Sequence, residues 1–285
     1  MKRVAIVGSG WVGEHLGKSF RRMGHEVVFY DVVRKNLPNF TQDINYAVEC
    51  SDVSFVCVPT PTKNRRIDLS YIKRASSLLG KALASRDTYH VVSIKSTVVP
   101  TTTEKVVIPI LEKYSKKHAG EFGICVNPEF MTMIERSWTK DASYARSFLS
   151  QERIVVGQYD KKSGDVLEEL YRPLGKPLCR TELRVAEMIK YASNCMLATK
   201  ISFWNEMFLI CRELQIDSDM VSKIASLDSR IGVYGTIHGK AFGGKCLPKD
   251  LEAFISFAAS YRRPELLKTV QDINKEMRKT YGVRE

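Results

Sequence analysis

A short apolar run that breaks into glycine is the feature that most limits what this chain can fold into. Residues 2–7 read Lys-Arg-Val-Ala-Ile-Val and lead directly into Gly8-Ser9-Gly10-Trp11-Val12-Gly13, after which apolar residues recur at helical spacing to about Met23. Strand, tight turn and helix in that order form a phosphate-binding unit. Gly8 permits the turn, Gly10 lets a pyrophosphate approach the backbone, and Gly13 lets the helix lie against the strand. A second apolar run, residues 26–30, ends in Asp31, at the distance where a carboxylate binds the adenosine ribose hydroxyls of NAD. Gly8, Gly10, Trp11, Val12, Gly13 and Asp31 are therefore expected to hold cofactor. Asp31 repels a 2′-phosphate and favours NAD over NADP, with Arg34 and Lys35 nearby weighing the other way.

The alternation continues. Residues 52–58, 89–94, 123–126 and 153–157 read as strands, and residues 68–83, about 102–116 and 161–171 as helices. The expected fold is α/β, an N-terminal Rossmann-like doubly wound parallel sheet over residues 1–180. Thr101-Thr102-Thr103-Glu104 has the spacing of a capping box at the start of one helix. Three strand ends carry loops: Val58-Pro59-Thr60-Pro61-Thr62, Lys95-Ser96-Thr97-Val98-Val99-Pro100 and Asn127-Pro128-Glu129-Phe130. Open α/β sheets bind ligands beyond the carboxyl ends of their strands, which places Thr60, Ser96, Thr97 and Glu129 near cofactor or substrate. Ordinary turn chemistry explains each of these residues singly.

The second half changes character. Residues 178–231 contain neither Gly nor Pro, and the pattern over about 182–214 predicts one long helix, on the order of 50 Å, able to serve as a dimer surface. Residues 181–285 are expected to form an all-helical domain around it. Glu187, Lys190 and Asn194 share one face of that helix, and Asn205-Glu206 extends a polar stripe amid Met188, Ile189, Leu197 and Ile201. Polar residues on an inward face mark a site more often than a core.

Further along comes Phe242-Gly243-Gly244-Lys245-Cys246-Leu247-Pro248-Lys249-Asp250. The glycines allow close backbone approach, and Pro248 suits the first position of a helix, so the Cys246 thiol would lie among unpaired N–H groups that favour a thiolate. Lys245 and Lys249 are expected to act in the same direction. The other six cysteines read as small buried hydrophobes.

Composition removes several classes. With 285 residues and 44% hydrophobic content the chain can bury a core, and disorder is excluded. There is no apolar run long enough for a bilayer and no signal-peptide pattern behind Lys2-Arg3, so a cytoplasmic protein is expected. Seven cysteines without a CxxC pair fit a reducing compartment and imply no metal site. The net charge of +12 is dispersed, which argues against nucleic acid and membrane as partners and reads first as solvated surface, with attraction of a phosphate-bearing substrate as the second reading.

Together these motifs resemble the nucleotide-sugar dehydrogenases, the family of UDP-glucose and GDP-mannose 6-dehydrogenases. The resemblance rests on Gly8 to Gly13, Val58-Pro59-Thr60-Pro61, Lys95 to Pro100, Asn127 to Phe130, Glu152-Arg153-Ile154-Val155-Val156-Gly157, Glu187 with Lys190 and Asn194, Asp228-Ser229-Arg230-Ile231-Gly232, and Gly243 to Asp250. It implies an NAD-dependent, four-electron oxidation of a sugar C6 alcohol, UDP-glucose to UDP-glucuronate, as in polysaccharide biosynthesis. The catalytic residues it implies are Cys246 as nucleophile, Lys190 and Asn194 at the oxyanion, and Asp250, Thr97 and Glu129 managing water and protons. Substrate would meet Glu129, Phe130, Lys190, Asn194 and Gly243, with Arg230 reaching the nucleotide of a neighbouring subunit in a homodimer.

The departures from the family pattern are specific. The family's C-terminal nucleotide-binding domain is expected to be lacking, either because the chain is cut or because it is naturally short. Met133 stands where a glutamate is usual, with Glu135 as a substitute by register shift, and Thr101 and Ala241 replace glycines. The alternatives are a single-hydride β-hydroxyacid dehydrogenase, which needs no cysteine, and an NAD-binding remnant without catalysis.

Overall fold

Val4, Ala5, Ile6 and Val7 are apolar on both faces of a strand, and all four are buried, as a strand covered on both sides requires. They belong to β1 (Arg3–Val7), followed by α1 (Trp11–Arg22), β2 (Glu26–Tyr30), β3 (Phe40–Thr41), α2 (Ile44–Glu49) and β4 (Val53–Val56). A hairpin of β5 (Thr62–Lys63) and β6 (Arg66–Ile67) comes next, then α3 (Ser70–Ala84) and β7 (Val91–Ile94). One π-helical turn, Thr103–Val107, opens α4 (Ile108–Ser115), and β8 (Gly123–Val126), β9 (Ile154–Gln158), α5 (Lys161–Tyr171) and β10 (Leu178–Glu182) complete the sheet region. The computed structural model describes residues 1–131, 138–140, 147–244 and 246–284, so Met133, Glu135 and Lys245 lie outside the described residues.

The chain divides into two units. The first takes Met1–Pro61, Ile67–Phe130 and Phe148–Lys190. Its eight-stranded sheet has the order β10-β9-β8-β7-β4-β1-β2-β3. Every pair is parallel except β8 with β9, where Cys125 faces Gln158 and Val126 faces Gly157 in antiparallel register. That pair makes the sheet mixed at this edge, where antiparallel neighbours need no crossover helix between them. One apolar layer gathers Ile72, Leu79, Ile94, Leu111 and Val126 with Leu183 and Ala186. The aromatic cluster of Phe20, Phe55, Phe148 and Tyr171 packs separately, with ring centroids 5.1–5.5 Å from Phe20. A Cβ on Gly13 would fall 2.1 Å from the Gly8 carbonyl oxygen, and one on Gly17 2.3 Å from the Phe29 ring, so both glycines are needed for α1 to lie on the sheet.

The second unit takes residues 62–66 and the chain from Tyr191, with the described residues 131, 138–140 and 147. Helix α6 (Leu183–Glu213), 31 residues long, begins in the first unit and supplies the spine of the second. It is followed by α7 (Ser218–Ala225), β11 (Ala241–Phe242), α8 (Leu247–Ala258), α9 (Glu265–Tyr281) and β12 (Val283–Arg284), which pairs with β11. The unit is thus helical apart from two-residue strand pairs. Its core joins Trp138, Cys195, Ala198 and Ile201 to Phe242, Leu251 and Val270. Two buried asparagines bind the segment before Cys246. Asn205 accepts from the Gly239 amide and donates to the Lys240 carbonyl, while Asn274 holds both the amide and the carbonyl of Phe242. Asn205 is therefore a structural brace, not part of a site stripe, and Glu206 and Met188 face solvent. Ala241 is buried in the β11 pairing, its amide donating to the Gly282 carbonyl at 3.0 Å.

Candidate active site

The glycine turn has the geometry that a dinucleotide requires. Gly8 has φ +97°, a left-handed conformation, and a Cβ there would press against the Cys57 backbone at 2.9 Å. Gly10 sits at the N-terminus of α1, and among the described residues a Cβ on it would meet no atom within 4 Å beyond its chain neighbours. Packing within the chain therefore does not demand this glycine, and a phosphate resting on the helix N-terminus does. Asp31 is aimed at the same turn, its Oδ2 accepting the Ser9 amide at 2.8 Å and its Oδ1 that of Val33 at 3.0 Å. Trp11 is partly exposed and stacks on His15, with ring centroids 4.2 Å apart. These residues fit a bound NAD.

The strand-end loops of the first unit hold Thr60, Ser96, Thr97 and Glu129 as expected from the chain order. Thr60 is buried and Thr97 half-buried. Ser96 uses its hydroxyl to donate to the Val58 carbonyl at 2.7 Å and lies within 3.1 Å of that of Val56, fastening its loop to the end of β4. Lys95 forms a buried ion pair with Glu129, Nζ to Oε2 at 3.1 Å, and Glu129 Oε1 accepts the Phe130 amide at 2.8 Å. The Phe130 ring lies against two cations, Arg153 at 4.8 Å and Lys190 at 5.2 Å from its centroid.

The capping box at Thr101 does not form. Thr101 takes φ +74°, the Thr102 hydroxyl donates to the Val99 carbonyl at 2.6 Å, and the π turn has no side-chain cap of its own. Glu187 of α6 serves instead, accepting the Thr103 amide on Oε1 at 2.9 Å, while Oε2 has no hydrogen-bond partner among the described residues. Burial pushes this carboxyl up to about 7, against the opposing pull of the Thr103 and Thr101 groups. A positive φ on a threonine and a π turn mark this segment as strained, as functional loops often are.

In the second unit Cys246 is the N-cap of α8, with Pro248 in the first turn, and its residue is exposed. Asp250 lies one turn on, its amide bonded to the Cys246 carbonyl at 2.9 Å. The Asp250 carboxylate is buried and takes the Asn194 side-chain amide at 2.6 Å and the Lys249 ammonium at 2.6 Å. The Lys249 ammonium is thus paired with Asp250. Of the other cysteines, Cys125 and Cys195 are pushed up to about 12 by burial, which leaves them inert. Cys179 is exposed on β10, contrary to its reading as a buried hydrophobe. Gly243 has a structural reason as well, since a Cβ there would fall 2.3 Å from Val283. Arg230 is exposed and paired with Asp228 at 2.6 Å. Lys190 and Asn194, both buried, stand one turn apart on α6.

Sequence reasoning assigned no role to Lys95 and no partner to Glu187. A lysine at the end of an apolar strand and a glutamate among apolar helix neighbours were the available signals. Among the described residues no group of His, Cys, Asp or Glu is placed to hold a metal ion, and no helix is long and apolar enough to cross a membrane.

Residues 32–175 match the model of the UDP-glucose/GDP-mannose dehydrogenase family, NAD binding domain, and residues 184–276 match that of its central domain. The chain is 35% identical over 307 residues to the UDP-glucose 6-dehydrogenase TuaD of Bacillus subtilis, covering 98% of this chain and 64% of that protein. It is also 35% identical over 289 residues to the GDP-mannose 6-dehydrogenase of Pseudomonas syringae pv. tomato, covering 90% and 64%. A UDP-glucose dehydrogenase structure from Pyrobaculum islandicum matches with a TM-score of 0.89 at 31% identity, over 98% of this chain and 69% of that one. The chain spans 64% of the length of these curated relatives. On the strength of two matched domain models and a fold shared with a relative above 30% identity, this chain belongs to the UDP-glucose/GDP-mannose dehydrogenase family.

Proposed function

We propose that the chain oxidises the C6 alcohol of a nucleotide-linked hexose, UDP-glucose in first place, to the carboxylate. The observation that carries this reading is Cys246, an exposed thiol at the N-terminus of α8 with the buried Asp250–Asn194 pair one turn behind it. A single-hydride dehydrogenase has no use for that thiol. Gly8 to Gly13 and Asp31 would hold NAD, which when bound would supply the hydride acceptor for the two oxidations. The Cys246 thiolate adds to the carbonyl of the aldehyde, and the resulting oxyanion takes up a proton to give a thiohemiacetal that cannot escape. Oxidation of that adduct leaves a thioester, and water then releases carboxylic acid and thiol. Lys190 and Asn194 stabilise the oxyanion in both adducts, and Glu129, Thr97 and Asp250 handle protons and the hydrolytic water. Phe130, Gly243 and Arg230 are assigned to substrate, Thr60 and Ser96 to cofactor.

The family domains and the absence of any membrane-spanning helix among the described residues support a cytoplasmic enzyme. A homodimer through α6 completes the proposal. Met196, Phe203 and Ile210 recur every seven residues on its exposed face, with Ile224 and Leu227 exposed on and just beyond α7. The test is a panel of nucleotide hexoses with NAD. Two NADH per sugar and a uronate product support the proposal, and one NADH with an aldehyde or ketone product refutes it.

A further inference from the structure

Lys95 follows β7 directly, its amide bonded to the Val56 carbonyl at 3.0 Å and its side chain 1% exposed. Its ammonium donates to Asn127 Oδ1 at 3.0 Å and to the Pro128 carbonyl at 3.2 Å, and forms an ion pair with Glu129 Oε2 at 3.1 Å. All three belong to the loop after β8. That loop is also held from its far side, where Asn127 donates to the Val155 carbonyl at 2.8 Å and accepts from the Tyr171 hydroxyl.

A buried ion pair contributes little net stability, because desolvating two charges offsets their attraction, and apolar residues of equal volume serve a core as well or better. A reason beyond stability is needed for a full charge here. Among the described residues, two neighbouring titratable groups do not supply that charge. Cys57 is pushed up to about 12 and Tyr171 upward, both by burial, so they stay neutral, while Lys190 and Arg153 lie across the Phe130 ring.

We infer that Lys95 is a positioning residue for catalysis, whose ammonium holds the Glu129 side chain as a carboxylate in one fixed orientation. The inference rests on the proposed role of Glu129 in proton handling. It makes Glu129 a proton acceptor that is ionised before substrate arrives.

The full chain labelled with [δ-13C]glutamate tests this directly by NMR, the Glu129 carboxyl signal being assigned by its loss in Glu129→Gln. In Lys95→Met the Glu129 titration midpoint moves to higher pH by at least about one unit, a tenfold change in its protonated fraction. Lys95→Arg restores most of that shift. Lys95→Gln, which keeps a donor and loses only the charge, behaves as Lys95→Met and serves where the apolar variant does not fold. An unmoved midpoint in either folded neutral variant overturns the inference. Full turnover in Glu129→Gln overturns the catalytic role of Glu129 instead, and leaves the NMR result to decide what Lys95 does.

Discussion

The Asn194 amide donates to the Asp250 carboxylate at 2.6 Å, tying the long helix α6 to the first turn of the helix that Cys246 caps. Both side chains are buried, so loss of the donor strands part of a carboxylate away from water. Asn194→Ala is expected to destabilise the protein by about 1–3 kcal/mol in urea unfolding. A double-mutant cycle with Asp250→Ala gives a coupling above about 0.5 kcal/mol, and additive effects contradict the pairing.

Glu187 makes stability depend on pH. Its carboxyl is raised from 4.5 to about 7, so the folded chain binds a proton that the unfolded chain has released between those values. Stability from this group falls as pH rises through that window, by about 3 kcal/mol in all, and is level above it. In Glu187→Gln the loss is absent. Urea unfolding of both proteins at pH 5 and pH 8 measures it, and the variant gains on the wild type as pH rises.

Gly10 separates cofactor from fold. Its φ of −74° suits any residue, and among the described residues nothing beyond its chain neighbours crowds its Cβ. Gly10→Val should therefore melt within a few degrees of the wild type while its NAD affinity, by calorimetry, falls at least about tenfold. A matching loss of stability would place the cause in folding.

The exposed face of α6 predicts assembly. Phe203→Glu puts a charge in the centre of the seven-residue stripe, and sedimentation equilibrium is expected to shift from dimer to monomer. A wild-type chain that sediments as a monomer removes the dimer from the account.

Local patterns were the legible part of this molecule. The glycine turn, the strand-end loops and the 31-residue helix follow from spacing that acts over a few residues. What was not legible depends on partners far apart in sequence. Thr101 to Glu104 has a capping-box spacing, yet Glu187, 84 residues from Thr103, caps that turn instead. Asn205 has the spacing of a site residue, yet it braces the backbone of Gly239 and Lys240. Lys249 has the charge to favour a thiolate, yet it pairs with Asp250. The antiparallel placing of β9 beside β8 is a sheet-level choice that the apolar run of residues 154–156 fits in either direction.

The central claim is that Cys246 holds the substrate carbon as a thiohemiacetal between the two oxidations and as an acyl group after the second. Peptide mass spectrometry of the Asp250→Asn protein, quenched in acid after a single turnover with UDP-glucose and NAD, tests it most directly. The account predicts a uronyl adduct on the Cys246 peptide that hydroxylamine removes, and none in Cys246→Ala. Formation of two NADH per sugar by Cys246→Ala, or an adduct on any other residue, contradicts it.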